Sequence, residues 1–252
     1  MIATDLDRTL LRNDKTVSPY AASVFGKCRD SGIVIAFATA RPVRTVKKLN
    51  LNVCRDAVIY HNGAIVEIDG RVRYRALIEY DDMMNFITAV SKKYPDMKIS
   101  VEIDDVLYAN FDVREVWADE GSVRTDFSNL PRLPAEKIIL GTADRFAVAE
   151  IKKMLPAGLY AETADDLILM IMNGGAKKST ALKKIADHFG IALSDAAAFG
   201  DDSNDIGMLR ECGAGVAMEN ASDAVKAAAK YVCGSNEDDG VAKWIEERIL
   251  PR

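Results

Sequence analysis

Asp5-Leu6-Asp7-Arg8-Thr9 follows directly on the short apolar run Ile2-Ala3-Thr4, and how it is read decides the fold. In an extended chain, residues two apart project to the same side. A strand ending here therefore presents the Asp5 and Asp7 carboxylates to one spot. In open α/β sheets, ligands bind at the carboxyl ends of the strands. An isolated Asp-x-Asp also suits an acidic loop, so the weight falls on what recurs elsewhere.

A second acidic cluster stands at Gly200-Asp201-Asp202-Ser203-Asn204-Asp205, after the apolar run Ala196-Ala197-Ala198-Phe199. Carboxylates converging from two strand ends form the oxygen-rich setting that Mg2+ prefers, together with water and substrate phosphate oxygens. Asp and Asn are also common helix caps, a reading open to Asp202 and to Asp205 at a predicted helix start. An aspartate nucleophile facing a phosphate dianion at about 4 Å is opposed by on the order of 8 kcal/mol at an effective dielectric near 20. A cation must offset that repulsion. Lys177 and Lys178 open a helix with an apolar stripe through Leu182, Ile185, Ala186 and Phe189, and a helix N-terminus itself favours anions.

Working outward, Pro19 to Ser31 predicts a helix and Gly32 to Ala38 a strand covered on both faces. That run ends in Ala38-Thr39-Ala40-Arg41-Pro42, where a hydroxyl and free backbone N–H groups can hold phosphate oxygens and Pro42 suits a first helical turn. Ala57 to Tyr60 predicts a third strand, and Asn62-Gly63 a hairpin turn into paired strands reaching about Leu77. The βαβαβ pattern predicts an α/β fold: a Rossmann-like core with a mostly parallel sheet and helices on both faces. Lys178 to Phe189, the strands at Ala196 to Phe199 and Ala214 to Met218, and helices at Asp205 to Arg210, Ala221 to Lys230 and Val241 to Ile249 resume it.

The middle reads differently. A helix over Asp81 to Tyr94, a hairpin around Asp104-Asp105, a strand at Lys137 to Thr142, a helix over Arg145 to Leu155 and two further strands predict an inserted α+β unit. The expected division is 1–78 and 173–252 for the core and 79–172 for the insert. Within the insert, Arg114, Trp117 and Arg124 read as surface or core before they read as substrate contacts.

The chain has 252 residues, 49% of them hydrophobic, and a formal net charge of -5. The charge speaks against a nucleic-acid partner, which usually meets a basic face, but leaves room for a small phosphorylated molecule. Cys28, Cys54, Cys212 and Cys233 are scattered and form no Cys-x-x-Cys, which predicts reduced thiols rather than disulfides or zinc. With no apolar membrane-length segment and no leader-like N-terminus, the expectation is a cytoplasmic protein without a membrane partner. Oligomeric state is not legible. Asn173 to Thr180 has the look of a nucleotide P-loop, yet Lys177 occupies the required glycine position and Met172 the first one. With only two histidines, His61 and His188, and no G-x-S-x-G, the sequence argues against a histidine-dependent phosphatase and a Ser-His-Asp hydrolase.

Taken in order, these segments resemble the haloacid dehalogenase (HAD) superfamily, and within it the Cof-type phosphatases with a type-B cap. The motifs match at Asp5 to Thr9, at Thr39, at Lys178 and at Gly200 to Asp205, with further likeness at His61 to Ala64, Gly175 to Leu182 and Gly213 to Val241. The resemblance implies that Asp5 is the nucleophile forming an aspartyl-phosphate, and that Asp7 protonates the leaving oxygen and then helps deprotonate water. It implies Mg2+ on the Asp5 side chain, the Asp7 carbonyl and the Asp201 side chain. Leu6, Thr39, Ala40, Lys178 and Asn204 would hold the phosphate, with Lys178 matching better than Lys177. Ala40 and Ser179 stand where many members have glycine. The insert would be a mobile cap that excludes water. The leading expectation is an Mg2+-dependent phosphatase acting on a small phosphorylated metabolite, a sugar phosphate being one candidate. The runner-up is a phosphomutase or phosphotransferase on the same scaffold, and a third reading is a non-catalytic binder of phosphorylated metabolites.

Overall fold

In the computed structural model, residues 1–49, 51–117, 121–141, 145–164 and 168–251 are described. The expected strand end at Thr142 and the strand start at Leu167 lie outside them. The chain divides into two compact units, Met1–Arg75 with Lys177–Arg252, and Ala76–Ala176. The second is longer at both ends than the 79–172 read from the sequence.

The first unit begins with β1 (Ile2–Asp5), α1 (Pro19–Asp30), β2 (Ile35–Ala38), α2 (Val43–Lys48), β3 (Ala57–Tyr60), β4 (Ile65–Ile68) and β5 (Arg71–Arg75). Only the end of the apolar run from Gly32 becomes strand. Gly32 takes φ 73 and donates to Arg29 O, and Ile33 donates to Cys28 O, so this part of the run closes α1 by covering its last carbonyls.

The second unit comprises α3 (Tyr80–Lys93), β6 (Lys98–Ile103), β7 (Val106–Ala109), β8 (Val123–Arg124), β9 (Lys137–Gly141), α4 (Arg145–Lys153), β10 (Leu159–Ala164) and β11 (Ile168–Asn173). Its sheet has the order β10-β11-β9-β6-β7-β8. The hairpin β6–β7 turns on Asp104 and Asp105, both at positive φ, as a two-residue turn of the primed type requires. Alternate residues Ile99, Val101 and Ile103 face one side and pack with Ile138, Leu140, Leu169 and Ile171 against Met83, Phe86 and Val90 of α3 and Ile151 of α4. On the opposite face Glu102 stands directly across from Lys137, a favourable cross-strand pair of opposite charges. Arg114 is bound by Asp112 at 2.6 Å and Trp117 packs with Phe111 in a small apolar cluster, while Arg124 is exposed, which accords with surface and core roles.

The chain then returns to the first unit with α5 (Lys178–Phe189), β12 (Ala197–Gly200), α6 (Ile206–Glu211), β13 (Ala214–Met218), α7 (Asp223–Ala228), β14 (Tyr231–Cys233) and α8 (Gly240–Arg248). The sheet order is β14-β13-β12-β1-β2-β3-β4-β5. It is parallel from β14 to β3, with β4 and β5 antiparallel at one edge. The central strands are buried along their whole length, as their unbroken apolar runs require. Helices α1 and α8 pack together, as do α5 and α6, and the two groups flank the sheet. Strand order reverses direction around β1, so the residues following β1, β2 and β12 meet at the carboxyl ends of the central strands, the crevice where such folds bind ligands.

Candidate active site

Asp5 is the last residue of β1, and its register partner on β2 is Ala38, which places Thr39 just past it. On the other side, β12 ends at Gly200 and delivers Asp201. Lys178 opens α5 and is 2% exposed. Its Nζ donates to Asp5 Oδ1 at 2.6 Å and to Asp205 Oδ1 at 2.7 Å. Carboxylate oxygens of Asp5, Asp201 and Asp205 lie within 4.8 Å of one another.

Two glycines permit this convergence. A Cβ on Gly200 would stand 2.4 Å from the Asp205 side chain, so only glycine lets that carboxylate fold back under the strand end. A Cβ on Gly63, at φ 113, would stand 2.5 Å from Lys177 O, so the turn after β3 closes directly on the start of α5.

Asp205 is engaged at both oxygens. Oδ1 takes Lys178, and Oδ2 accepts the Asp201 and Asp202 amides at 3.0 and 3.1 Å. It forms a capping box with Asp202, so the cap reading from sequence describes half of what it does. The other half, aligning Lys178, was missed because a cap at a helix start accounts for an aspartate by itself. Asp202 caps Ser203 at 2.7 Å and stands outside the acidic cluster. Asp201 accepts from Thr9 Oγ1 at 2.9 Å, with Arg8 Nε 3.8 Å from its other oxygen.

Asp7 belongs to a second group. Arg41 donates to it from Nε at 2.6 Å and from Nη2 at 2.7 Å, and Lys15 donates at 2.9 Å. Sequence reasoning quoted Arg41 only as part of a phosphate-binding turn and passed over Lys15. Their signal was available: a carboxylate in a crowded acidic site requires cationic partners.

A third group links the remaining residues. Arg41 N donates to Thr39 Oγ1 at 3.1 Å, Asn62 N to Thr39 O at 3.0 Å, and Asn204 Nδ2 to Asn62 Oδ1 at 3.0 Å. Leu6 follows Asp5 with a fully buried side chain, and its carbonyl accepts Leu11 N at 2.7 Å. Ala40 sits between Thr39 and Arg41 at the end of β2. Asp5, Lys178, Asp205, Asn204, Asn62, Thr39, Arg41, Asp7 and, between Asp7 and Asp5, Leu6 thus form a continuous ring, joined by hydrogen bonds and chain neighbours.

The electrostatics follow from this wiring. Burial pushes the Asp5 carboxyl well up; Lys178 opposes the rise, and Asp205 and Asp201 add to it. Burial likewise pushes Asp201 up to about 6, with the Thr9 hydrogen bond pulling down and Asp205 pushing up. Burial acts to lower Lys178, but Asp205 and Asp5 outweigh it and hold the ammonium protonated. Burial acts to raise Asp7, and the hydrogen bonds from Arg41 and Lys15 reverse it, leaving the carboxyl below its usual range. Three carboxylates against one buried ammonium leave two surplus negative charges. A hard divalent cation fits that surplus and that donor set. Asp5 Oδ2 accepts no hydrogen bond among the described residues, and Asp201 Oδ2 has Arg8 Nε 3.8 Å away.

A parallel α/β sheet with acid, ammonium and hydroxyl groups gathered at its strand ends suits phosphoryl transfer, and the named relatives put the chain among the phosphoric monoester hydrolases. The chain belongs to the haloacid dehalogenase-like hydrolases, whose family profile matches residues 2–245. The 5-amino-6-(5-phospho-D-ribitylamino)uracil phosphatase YitU of Bacillus subtilis is 30% identical, covering 98% of this chain and 96% of its own length. The pyridoxal phosphate phosphatase YbhA of Escherichia coli is 27% identical, covering 99% of this chain and 98% of its own. Among solved structures, the phosphatase BT1666 of Bacteroides thetaiotaomicron is similar at a TM-score of 0.88 and 26% identity, covering 98% of this chain and 93% of that one. The Cof-type HAD membership expected from the motifs is borne out, as is the expectation of an enzyme.

Proposed function

We propose that the chain is a Mg2+-dependent phosphatase that hydrolyses a small phosphorylated metabolite through an aspartyl-phosphate on Asp5. The observation that carries this is the Asp5–Lys178–Asp205 arrangement beside Asp201. It leaves one oxygen of the nucleophile open and fixes a buried ammonium beside it.

One oxygen of the Asp5 carboxylate attacks phosphorus, forming a new O–P bond while the bond to the leaving oxygen breaks. Asp7 gives its proton to that oxygen, a role that requires substrate binding to loosen the Arg41 and Lys15 hydrogen bonds that keep its carboxyl ionised without substrate. Asp7 then takes a proton from water, whose oxygen attacks the aspartyl-phosphate, releasing inorganic phosphate and restoring Asp5. Asp5, the Asp7 carbonyl and Asp201 would hold Mg2+, which supplies charge neutralisation for the phosphoryl oxygens. Lys178, with Thr39, Asn204 and the Leu6 and Ala40 amides, holds those oxygens and offsets the repulsion between nucleophile and phosphate. Residues 79–172 serve as the cap that keeps water from the first step. Relatives named for phosphates of a ribitylaminouracil and of pyridoxal support a small phosphorylated substrate. The unpaired Cys28, Cys54, Cys212 and Cys233 support a reducing, cytoplasmic setting, and no helix among the described residues is long and apolar enough to cross a membrane.

The test is p-nitrophenyl phosphate turnover with and without Mg2+, by the natural protein and by Asp5→Asn. Metal-dependent phosphate release that the variant loses is expected. Equal turnover by Asp5→Asn would overturn the mechanism.

A further inference from the structure

The loop after β1 carries Asp7, Arg8 and Thr9, and its own backbone bonds, with a bridge between Asp7 and Leu11, leave the Arg8 and Leu11 carbonyls facing elements outside the loop. Leu10 N reaches Asp5 O at 3.3 Å, Leu11 N reaches Leu6 O at 2.7 Å, and Arg12 N reaches Thr16 O at 3.0 Å. Arg8 sits at φ 58, a left-handed conformation that a non-glycine residue keeps only when its surroundings impose it.

Two asparagines from the far end of the chain supply that imposition. Asn220, just past β13, donates from Nδ2 to the Arg8 carbonyl at 2.8 Å. Asn236, just past β14, is 5% exposed and donates from Nδ2 to the Leu11 carbonyl at 3.1 Å, with Asn13 Oδ1 at 3.3 Å. The two are coupled, because Asn236 N donates to Asn220 Oδ1 at 3.1 Å. On either side Glu237 accepts Asn13 N at 2.6 Å and Asp239 accepts Arg12 at 2.9 Å. A buried amide with its donors matched to two carbonyls of one loop is a specific fastening, since an unmatched one would carry a desolvation penalty.

The fastening reaches the acids through Arg8. Its neighbours are Asp7 and Thr9, and Thr9 Oγ1 orients Asp201 at 2.9 Å. The phosphate-holding residues hang on other elements: Lys178 on α5, Thr39 after β2, and Asn204 in the turn before α6. No hydrogen bond runs from them to Asn220 or Asn236 among the described residues.

We propose that Asn220 and Asn236 are positioning residues that set the loop carrying Asp7 and Thr9, and through it the metal-facing carboxylate of Asp201. This rests on the proposed function, in which Asp201 binds the metal and Asp7 moves the proton. It requires a split effect: metal affinity and kcat depend on the two amides, while phosphate affinity at saturating metal does not. Partners that orient metal ligands from behind typically change affinity by about 10- to 100-fold when removed.

The experiment uses the full chain with Asn220→Asp and Asn236→Asp. Each keeps the side chain's shape while turning the donor into an acceptor that faces a carbonyl. Calorimetric Mg2+ titration should show binding weaker by about tenfold. Hydrogen exchange of the metal-free protein should quicken at residues 7–12 and stay unchanged in β1 and α5. At saturating Mg2+, kcat for p-nitrophenyl phosphate should fall, with inhibition by inorganic phosphate held within about twofold. Should Asn220→Asp fail to fold, Asn220→Ala and Asn236→Ala, which delete the whole amide and in Asn220 also the acceptor of Asn236 N, give the same readings. Natural Mg2+ affinity and exchange in folded variants overturn the proposal, as does equal loss of metal and phosphate binding with faster exchange throughout. If the natural protein binds no Mg2+, or Asp5→Asn retains turnover, the functional reading falls first and this inference with it.

Discussion

Arg41 grips Asp7 through two parallel hydrogen bonds, one at 2.6 Å from Nε to Oδ2 and one at 2.7 Å from Nη2 to Oδ1. The guanidinium thereby fixes the carboxyl's plane as well as its charge, which a lysine cannot do. Arg41→Lys is expected to lower kcat by about 10- to 100-fold, the lower part of what a positioned acid–base contributes. Natural kcat in the variant, measured at saturating substrate, would show that the grip is dispensable. The sign of the linked stability is fixed too. Asp7 lies below its usual range, so the brace stabilises the fold above the unfolded carboxyl's range and is lost as acid protonates Asp7.

Lys178→Met tests the buried ammonium. Removing it strands Asp5 and Asp205 without their shared partner, and breaking a buried pair in this way costs about 3–5 kcal/mol. Burial already pushes Asp5 up and Lys178 opposes the rise, so without Lys178 the folded state holds the Asp5 proton more tightly than the unfolded chain and the loss grows as pH rises. Urea unfolding at pH 5 and pH 7.5 should show the larger deficit at the higher pH. A deficit independent of pH would mean that packing, and not charge, is what Lys178 supplies.

Divalent metal should matter most where the acids are ionised. With Asp201 pushed up to about 6, the metal-free fold binds its proton more tightly than the unfolded chain and loses stability as pH rises from about 4 to about 6. Mg2+ needs the ionised form, so the gain in Tm on adding it should be small at pH 5 and larger at pH 7.5. Thermal melts with Mg2+ or EDTA at both values check this, and an equal gain at the two would contradict it.

Gly63→Ala should disturb the site from behind. The methyl group would meet Lys177 O at 2.5 Å, and φ 113 is foreign to alanine. A backbone conflict of this kind costs on the order of 1–3 kcal/mol, read as a fall in Tm. Because Lys177 precedes Lys178, KM for p-nitrophenyl phosphate should rise as well. An unchanged Tm and KM would mean that the turn yields freely.

What the sequence could reveal divides along a physical line. The strands at Ile2, Ile35, Ala57 and Ala197, and the acids at the ends of the first and last of these, were legible because unbroken apolar runs and carboxylates are local signals. The Gly32 run was over-read as strand because its first residues serve the end of α1, a tertiary use of apolar residues. Helix α7 is shorter than Ala221 to Lys230, since Ala221 is spent on a turn to Met218 O at 3.0 Å. Tyr231 to Cys233 is too short and too exposed to announce a strand, and pairing with β13 alone makes it one. The grip of Arg41 on Asp7 spans 34 residues and that of Lys178 on Asp5 spans 173, distances at which single residues leave no pattern.

The central position of β1 has a consequence for synthesis. One of its edges meets β2 almost at once, but the other waits for β12, so Ile2 pairs with Ala197 only after nearly the whole polypeptide has been made. Translation at roughly 5–20 residues per second leaves that edge open for on the order of 10–30 s, while the strands and helices between Ala76 and Ala176 can already close on one another. An apolar strand with an unsatisfied edge is a template for aggregation, so the ribosome-bound chain is the species most in need of a chaperone.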